Sequence, residues 1–329
     1  MDLSSYRATT VSRGFKYNYY FAQPSSPIQL FFYFVHGFPS TSYDWHKQVK
    51  FFQERGYGIV VPDCLGYGGT DKPTDPAAYG NDIAKDLVDI LDAEKIKEAV
   101  FIGHDWGCRI VSRVVTLFPE RVQAAGFLAV GYMPPNPDTD TASKEVLEQS
   151  EALIGYAPFG YFLFLGGEED SSKICMDSLD TFWNILYPDD PKTWITDMGP
   201  VDAMKTSLLS GKTLPSASWN SAEDRTHQIE VTRSSGLEAP TCYYKASVKG
   251  IHKTEDATIP LEKYTISQPV FFGAMLEDYI CIPALFKPDT EKYCKNLTYK
   301  EFKANHWGML QKSDEVNREL LEWVEGLGM

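Results

Sequence analysis

Cysteine, histidine and long apolar runs are all in short supply in this sequence, and each scarcity excludes something. The six cysteines (Cys64, Cys108, Cys175, Cys242, Cys281 and Cys294) form no CxxC pair and no cluster with metal-ligand spacing. That argues against a disulfide scaffold or a zinc module and for reduced thiols. The six histidines (His36, His46, His104, His227, His252 and His306) show no metal spacing either, so neither a metal nor any other cofactor is expected. No apolar run approaches the ~20 residues of a membrane-spanning helix. The N-terminal MDLSSYRATTVSRGFKYNYY lacks the apolar stretch of a secretory signal, so a cytoplasmic location is expected. Positive charge is also short: 31 Lys and Arg stand against 45 Asp and Glu, a net charge of −14. A nucleic-acid backbone or an anionic membrane demands the opposite balance.

What is present is an ordinary globular composition over 329 residues, 43% hydrophobic and 14% aromatic. That is enough to bury a core without disulfides or metals. Residues 28–35 (IQLFFYFV) form a continuous apolar run, as do 58–62 (GIVVP) and 99–103 (AVFIG). Such runs suit strands buried on both faces. Between them, apolar residues recur at helical spacing over 42–55 (Trp45, Val49, Phe52) and 79–94 (Ile83, Leu87, Ile90, Leu91). A helix over 106–118 and a strand over 122–130 continue the alternation, which implies a parallel sheet with right-handed crossovers. The rhythm breaks at Met133 in a Pro- and Asp-rich stretch. It resumes with a strand at 268–276, a helix, a strand at 298–304 and a final helix over 314–326 with Ser313 as its N-cap. The expected organisation is an α/β core of residues 1–132 and 256–329, interrupted by a mainly helical insertion at 133–255. The insertion holds 19 acidic and 10 basic residues, the core 26 and 21.

Gly103-His104-Asp105-Trp106-Gly107 falls directly after the strand AVFI and directly before a helix. This is the G-x-nucleophile-x-G elbow with Asp in place of Ser. The turn is so sharp that the residues two before and two after the nucleophile leave no room for a Cβ. The helix N-terminus then favours the carboxylate charge. His36-Gly37-Phe38-Pro39 follows the strand 28–35. In elbow enzymes that loop supplies one oxyanion N–H and the residue after the nucleophile supplies the other, here Phe38 and Trp106. Elbow enzymes run nucleophile, acid, histidine along the chain. His306, in Asn305-His306-Trp307-Gly308, is the histidine that follows a late core strand, and it serves as general base. The acid that orients it comes from Glu277-Asp278-Tyr279; Asp278 is favoured and Glu277 is the alternative. Trp106, Phe38 and His104 are expected at the substrate pocket, His104 either lining or supporting it. Nucleotide loops find no support: Gly66-Tyr67-Gly68-Gly69 lacks the full GxGxxG spacing, and Thr206 stands where a P-loop ending at Gly211-Lys212-Thr213 needs glycine.

Together HGFP (36–39), VPDCLGYGGTDKP (61–73), GHDWG (103–107), LFPERV (117–122), the LEDY stretch and NHWG make the chain resemble the epoxide hydrolases of the α/β-hydrolase fold, of the soluble type common in fungi. The resemblance spans both halves of the core in the right order. It implies an α/β-hydrolase fold, with a mostly parallel sheet flanked by helices and an inserted helical lid. It also implies two lid tyrosines that donate hydrogen bonds to the epoxide oxygen. The stretch Gly160-Tyr161-Phe162-Leu163-Phe164 looks like the first lid motif and Cys242-Tyr243-Tyr244-Lys245 like the second, giving Tyr161 and Tyr244, with Tyr156 and Tyr243 as neighbours that compete. The implied activity converts a small hydrophobic epoxide and water to a vicinal diol through an aspartyl ester, with no cofactor, by a monomer or homodimer. The alternatives are a haloalkane or haloacid dehalogenase on the same fold, or a non-catalytic small-molecule receptor that retains the triad. Arg109 bears on the first: haloacetate dehalogenases carry an arginine four residues after the nucleophile, but also one directly after it, where this chain has Trp106. Arg109 is therefore read as a structural ion-pair residue.

Overall fold

The computed structural model describes residues 1–25 and 30–328. Eight strands form one sheet: β1 (Tyr6–Thr10), β2 (Lys16–Ala22), β3 (Phe31–Val35), β4 (Gly58–Pro62), β5 (Ala99–His104), β6 (Val122–Leu128), β7 (Ile266–Met275) and β8 (Cys294–Phe302). Their order is β1-β2-β4-β3-β5-β6-β7-β8. The first two strands pair antiparallel, β2 pairs antiparallel to β4, and the ladder from β4 to β8 is parallel. Of the expected strand 28–35, residues 28 and 29 lie outside the described residues.

The central strands are apolar throughout because helices cover both faces of the sheet. All five residues of β3 and all six of β5 are buried. Their aromatic rings pack in layers: Tyr33 stacks on Phe101 at 4.6 Å and Phe34 on Trp45 at 4.9 Å between centroids. Each such side chain contributes roughly 1.5–3 kcal/mol of burial free energy. The helices His46–Gln53, Ile83–Ala93 and Trp106–Leu117 follow β3, β4 and β5. Each starts or ends within a few residues of the span expected from its spacing. The stretch 42–45 is a tighter 3-10 turn, capped by the Thr41 side chain.

Two features differ from the expectation. The hairpin β1–β2 was not expected at all. Its outer strand alternates weakly and is largely exposed, so it carries no continuous apolar signal. The final helix runs Ser313–Gly326, with Lys312 as its N-cap and no side-chain capping bond. The short helix Gly308–Gln311 precedes it directly, so the chain arrives already turned and Ser313 is the first helical residue.

Between β6 and β7 the chain forms helices and no sheet strand. These helices include Lys144–Ile154, Tyr161–Gly167, Leu179–Leu186, Ala222–Ser235 and Cys242–Val248. They meet the rest of the chain through buried and partly buried polar bonds. Gln228 Nε2 donates to Asp44 Oδ1 at 2.8 Å, and Tyr43 donates its hydroxyl to Asp224 at 2.9 Å. No helix among the described residues is long and apolar enough to cross a membrane.

Candidate active site

The parallel strands all deliver their C-terminal ends to one edge, and four of those ends carry the site: Phe38 follows β3, Asp105 follows β5, Asp278 follows β7 and His306 follows β8. Asp105 takes φ 54° and ψ −126°, a conformation that non-glycine residues adopt only under strain. The surrounding glycines make that turn feasible. A Cβ on Gly103 would come within 2.7 Å of the Gly107 carbonyl carbon, and one on Gly107 would run into the backbone of Val35. The helix Trp106–Leu117 is thereby pressed against β5 and β3. Gly37 is the third close approach: a Cβ there would lie 2.5 Å from Asp105 Cβ and 2.6 Å from Trp106 N.

The two oxygens of Asp105 face different partners. Oδ1 accepts the Phe38 N–H at 2.7 Å. Oδ2 lies 3.5 Å from His306 Nε2. On its other side His306 donates Nδ1–H to Asp278 Oδ2 at 2.6 Å. The remaining oxygen, Asp278 Oδ1, accepts the N–H groups of Ile280 (2.9 Å) and Cys281 (2.8 Å), so the carboxylate cannot rotate. The structure thus brings Asp278 to His306, while Glu277 is half-buried on the neighbouring turn. The loop bearing His306 is held by Asn305, whose Oδ1 accepts Trp307 N–H at 3.0 Å.

Burial alone would lower the basicity of His306, but the Asp278 charge and the bonds to Asp105 and Asp278 outweigh it and raise its pKa well above the ordinary imidazole value. Asp105 shows the converse. Desolvation pushes its carboxyl up, yet His306 and the Phe38 N–H hold it below the usual carboxylate range. Both shifts favour the charged forms, a carboxylate on Asp105 and an imidazolium on His306.

Tyr161 and Tyr244 stand on the helices Tyr161–Gly167 and Cys242–Val248, their ring centroids 5.7 Å apart. Both are buried, and burial drives both phenol pKa values well above 10, with Asp105 adding to the effect on Tyr244. Each keeps its proton and can donate it. The Trp106 ring lies 5.2 Å from Tyr244, edge to face. Of the competing tyrosines, Tyr243 donates to the Leu65 carbonyl at 3.0 Å and Tyr156 to the Tyr279 carbonyl at 2.6 Å; their hydroxyls are already engaged. A cavity of about 690 Å³ opens onto Asp105, lined by Trp106, Tyr161, Phe162, Cys281 and the Pro-rich stretch from Met133.

Of the two roles expected of His104, lining or supporting the pocket, its surroundings match support. It is fully buried, its Nε2 pairs with the His306 carbonyl at 2.8 Å, and burial together with His306 lowers its pKa to about 3. It is a neutral support under the His306 loop. The Phe38 ring packs edge-on against Tyr244 (4.9 Å) and Phe182 (6.0 Å), and its backbone N–H bonds Asp105 Oδ1. Arg109 sits in an ion cluster. It donates to Asn81 Oδ1 at 3.0 Å and lies 3.8 Å from Asp256, which pairs closely with Arg113 at 2.7 Å.

Sequence reasoning missed Cys281, three residues after Asp278 and beside His306, and the Asn81–Arg113–Asp256 cluster that anchors the Pro-rich stretch through Asn136 N–H. Cys281 was within reach of a sequence argument, because any turn that presents Asp278 also presents the residue three further on. The cluster was not, because its members are far apart in the chain.

A strained aspartate elbow at the C-terminal edge of a parallel sheet, faced by a histidine–carboxylate pair, defines a hydrolase of the α/β-hydrolase fold. The family described by that fold matches residues 31–155. An epoxide hydrolase of Caballeronia sordidicola is 30% identical over 257 residues, covering 76% of this chain and 72% of that protein. Epoxide hydrolase A of Mycobacterium tuberculosis is 26% identical over 319 residues, covering 93% and 92%. The crystal structure of epoxide hydrolase A from Mycobacterium thermoresistibile superposes with a TM-score of 0.80 at 25% identity, covering 98% of each chain. The chain belongs to the epoxide hydrolases.

Proposed function

We propose that the protein opens neutral, hydrophobic epoxides to vicinal diols in two steps through an ester on Asp105, with residues 133–255 acting as a lid over a core of 1–132 and 256–329. In the first step Asp105 Oδ2 attacks a ring carbon. The C–O ring bond breaks, and its electron pair goes to the ring oxygen. Tyr161 and Tyr244 aim their O–H groups at that oxygen and one gives up its proton. A carboxylate suits this step because its ester can be hydrolysed, whereas the ether formed by a serine would be a dead end.

In the second step His306 takes a proton from water, and the hydroxide adds to the ester carbonyl carbon. The resulting oxyanion is Oδ1, the oxygen that already accepts the Phe38 N–H; the Trp106 N–H is the second donor. On collapse the diol oxygen leaves with the proton that His306 took from water, and the Asp105 acid gives its proton to His306, which restores the carboxylate and the imidazolium. The charge pattern supplies the order of events. While Asp105 is anionic, it helps keep His306 protonated. Ester formation removes that charge, so the imidazolium gives its proton to the tyrosinate left by ring opening, which restores the phenol and leaves His306 neutral when water must be activated.

The observation that carries this reading is the division of labour between the two Asp105 oxygens, one on the Phe38 N–H at 2.7 Å and one facing His306 at 3.5 Å. Single turnover of styrene oxide with excess enzyme in isotopically labelled water tests it. The expected result is label in the Asp105 carboxylate and none in the first diol released. Label in that first diol means direct attack by water and overturns the ester route. The dehalogenase alternative is less favoured, since the arginine that motivated it donates from Nη2 to Asn81 and lies 3.8 Å from Asp256, although it shares a cavity with Asp105.

A further inference from the structure

We infer that His36 is a positioning residue for ester hydrolysis: its ring holds the peptide unit that carries the Phe38 N–H. The inference rests on the role given above to that N–H. A peptide unit is planar, so the Gly37 C=O and the Phe38 N–H belong to one rigid group and point to opposite sides of it. The N–H end bonds Asp105 Oδ1 at 2.7 Å. The C=O end lies 2.9 Å from His36 Nδ1. Whatever fixes the carbonyl therefore fixes the direction of the N–H.

The far side of the ring decides which nitrogen carries the proton. The Cys64 backbone N–H donates to His36 Nε2 at 2.9 Å, so Nε2 must offer a lone pair. Burial disfavours the charged ring and lowers its pKa. In a neutral imidazole the other nitrogen then carries the hydrogen, and Nδ1–H donates to the Gly37 carbonyl. The Tyr67 ring packs edge-on against the imidazole at 4.9 Å. The Ser40 N–H also reaches the Gly37 carbonyl, at 3.1 Å, and closes the turn after β3. Donors on a carbonyl draw electron density through the peptide, and its N–H becomes a stronger donor. A chain of bonds thus runs from the Cys64 N–H through the His36 ring and the Gly37–Phe38 peptide to Asp105 Oδ1. Its last bond strengthens when Oδ1 becomes the oxyanion of ester hydrolysis. Ring opening withdraws charge from Asp105 and makes no such demand.

Two substitutions separate the two bonds of the ring. In His36→Asn the amide nitrogen takes the place of Nδ1 and donates to the Gly37 carbonyl, while the Cys64 N–H loses its acceptor. In His36→Gln the longer side chain brings its amide oxygen to the place of Nε2, which keeps the Cys64 bond and gives up the one to Gly37. Each variant loses one buried bond, so urea unfolding should find similar losses of stability. Ester hydrolysis, followed as decay of the styrene oxide adduct by intact mass, should be about tenfold slower in His36→Gln than in His36→Asn, a part of the roughly 10²–10³-fold cost of losing an oxyanion donor outright. Adduct formation should differ by less than about threefold between the two. Equal hydrolysis rates in the two folded variants, or a difference that falls on adduct formation instead, would overturn the inference. Should either variant fail to fold, the wild type decides: nitrogen NMR of histidine-labelled enzyme should find His36 protonated at Nδ1, and a proton on Nε2 would overturn the inference. The tautomer is read without turnover, so its failure is separate from failure of the ester route, which would show as no adduct in any folded enzyme.

Discussion

Asp278→Asn is the most discriminating single change. The carboxylate is locked: Oδ1 accepts two backbone N–H groups, from Ile280 and Cys281, at 2.9 and 2.8 Å. An asparagine keeps both bonds only if its carbonyl oxygen takes the Oδ1 place. Its NH2 group then faces His306 Nδ1 across the 2.6 Å contact now made by Oδ2. Two donors cannot share that contact, so Nδ1 must become the acceptor and the ring proton must move to Nε2. Nε2 is the nitrogen that faces Asp105, and once it carries the proton of a neutral ring it has no lone pair for water. The wrong tautomer in a comparable triad costs about 10⁴-fold, or ~5.5 kcal/mol of activation free energy. The loss should fall on ester hydrolysis, because ring opening uses Asp105 and the tyrosines. Mixing Asp278→Asn with styrene oxide should therefore build up a covalent adduct visible by intact mass, with ring opening within about tenfold of wild type. Glu277→Gln is the control and should behave as wild type. Ester hydrolysis by Asp278→Asn within about tenfold of the wild-type rate would refute the tautomer argument.

The remaining predictions can be tested with simpler variants. His306→Gln should likewise trap the adduct; no accumulated mass would remove His306 from the role of base. Tyr161→Phe and Tyr244→Phe should each slow ring opening by about 10²-fold while leaving ester hydrolysis nearly unchanged, the usual scale for losing one oxyanion donor, as read in pre-steady-state kinetics. Gly37→Ala would set its Cβ against Asp105 Cβ and Trp106 N, both fixed by backbone. It should lower adduct formation sharply and cost about 1–3 kcal/mol of stability from overpacking, measured by urea unfolding. His104, with its pKa lowered to about 3, stays neutral in the folded protein while the unfolded chain protonates near the ordinary value of about 6.5. Its depressed pKa therefore favours the folded state above about pH 6.5, and that contribution falls as the pH drops through the window down to 3. The loss is about 1.4 kcal/mol per pH unit, or about 2 kcal/mol by pH 5. His104→Asn should lose less stability than wild type between pH 7 and pH 5; an unchanged difference would show that His104 titrates normally.

Local pattern made much of the architecture legible. The runs FFYFV, GIVVP and AVFIG are strands because both sheet faces are covered, and a both-faces-buried strand announces itself as continuous apolar text. The aspartate elbow was legible for the same kind of reason: Gly103 and Gly107 are required by a turn of five residues, so cause and signal lie side by side. The hairpin β1–β2 escaped because its outer strand at the sheet edge needs no unbroken apolar run. The sequence left open whether His104 lines or supports the pocket, because adjacency to a nucleophile along the chain says little about where a side chain goes; here it passes under the His306 loop.

By itself the sequence determined the alternating strands and helices, the elbow that exposes Asp105, and a late histidine and acidic pair in the order such a site requires. Only the tertiary structure decided that Asp278 rather than Glu277 meets His306, that Tyr161 and Tyr244 face one another while Tyr156 and Tyr243 are spent on carbonyls, that Arg109 belongs to the Asp256 cluster, and that Cys281 lies against His306. The physical reason is range. Dihedral preference and burial periodicity act over a few residues and are written in consecutive letters. The pairing of a carboxylate with an imidazole 28 positions away, and of both with a nucleophile in another crossover, depends on angles set by the packed sheet, and no run of neighbouring residues encodes them.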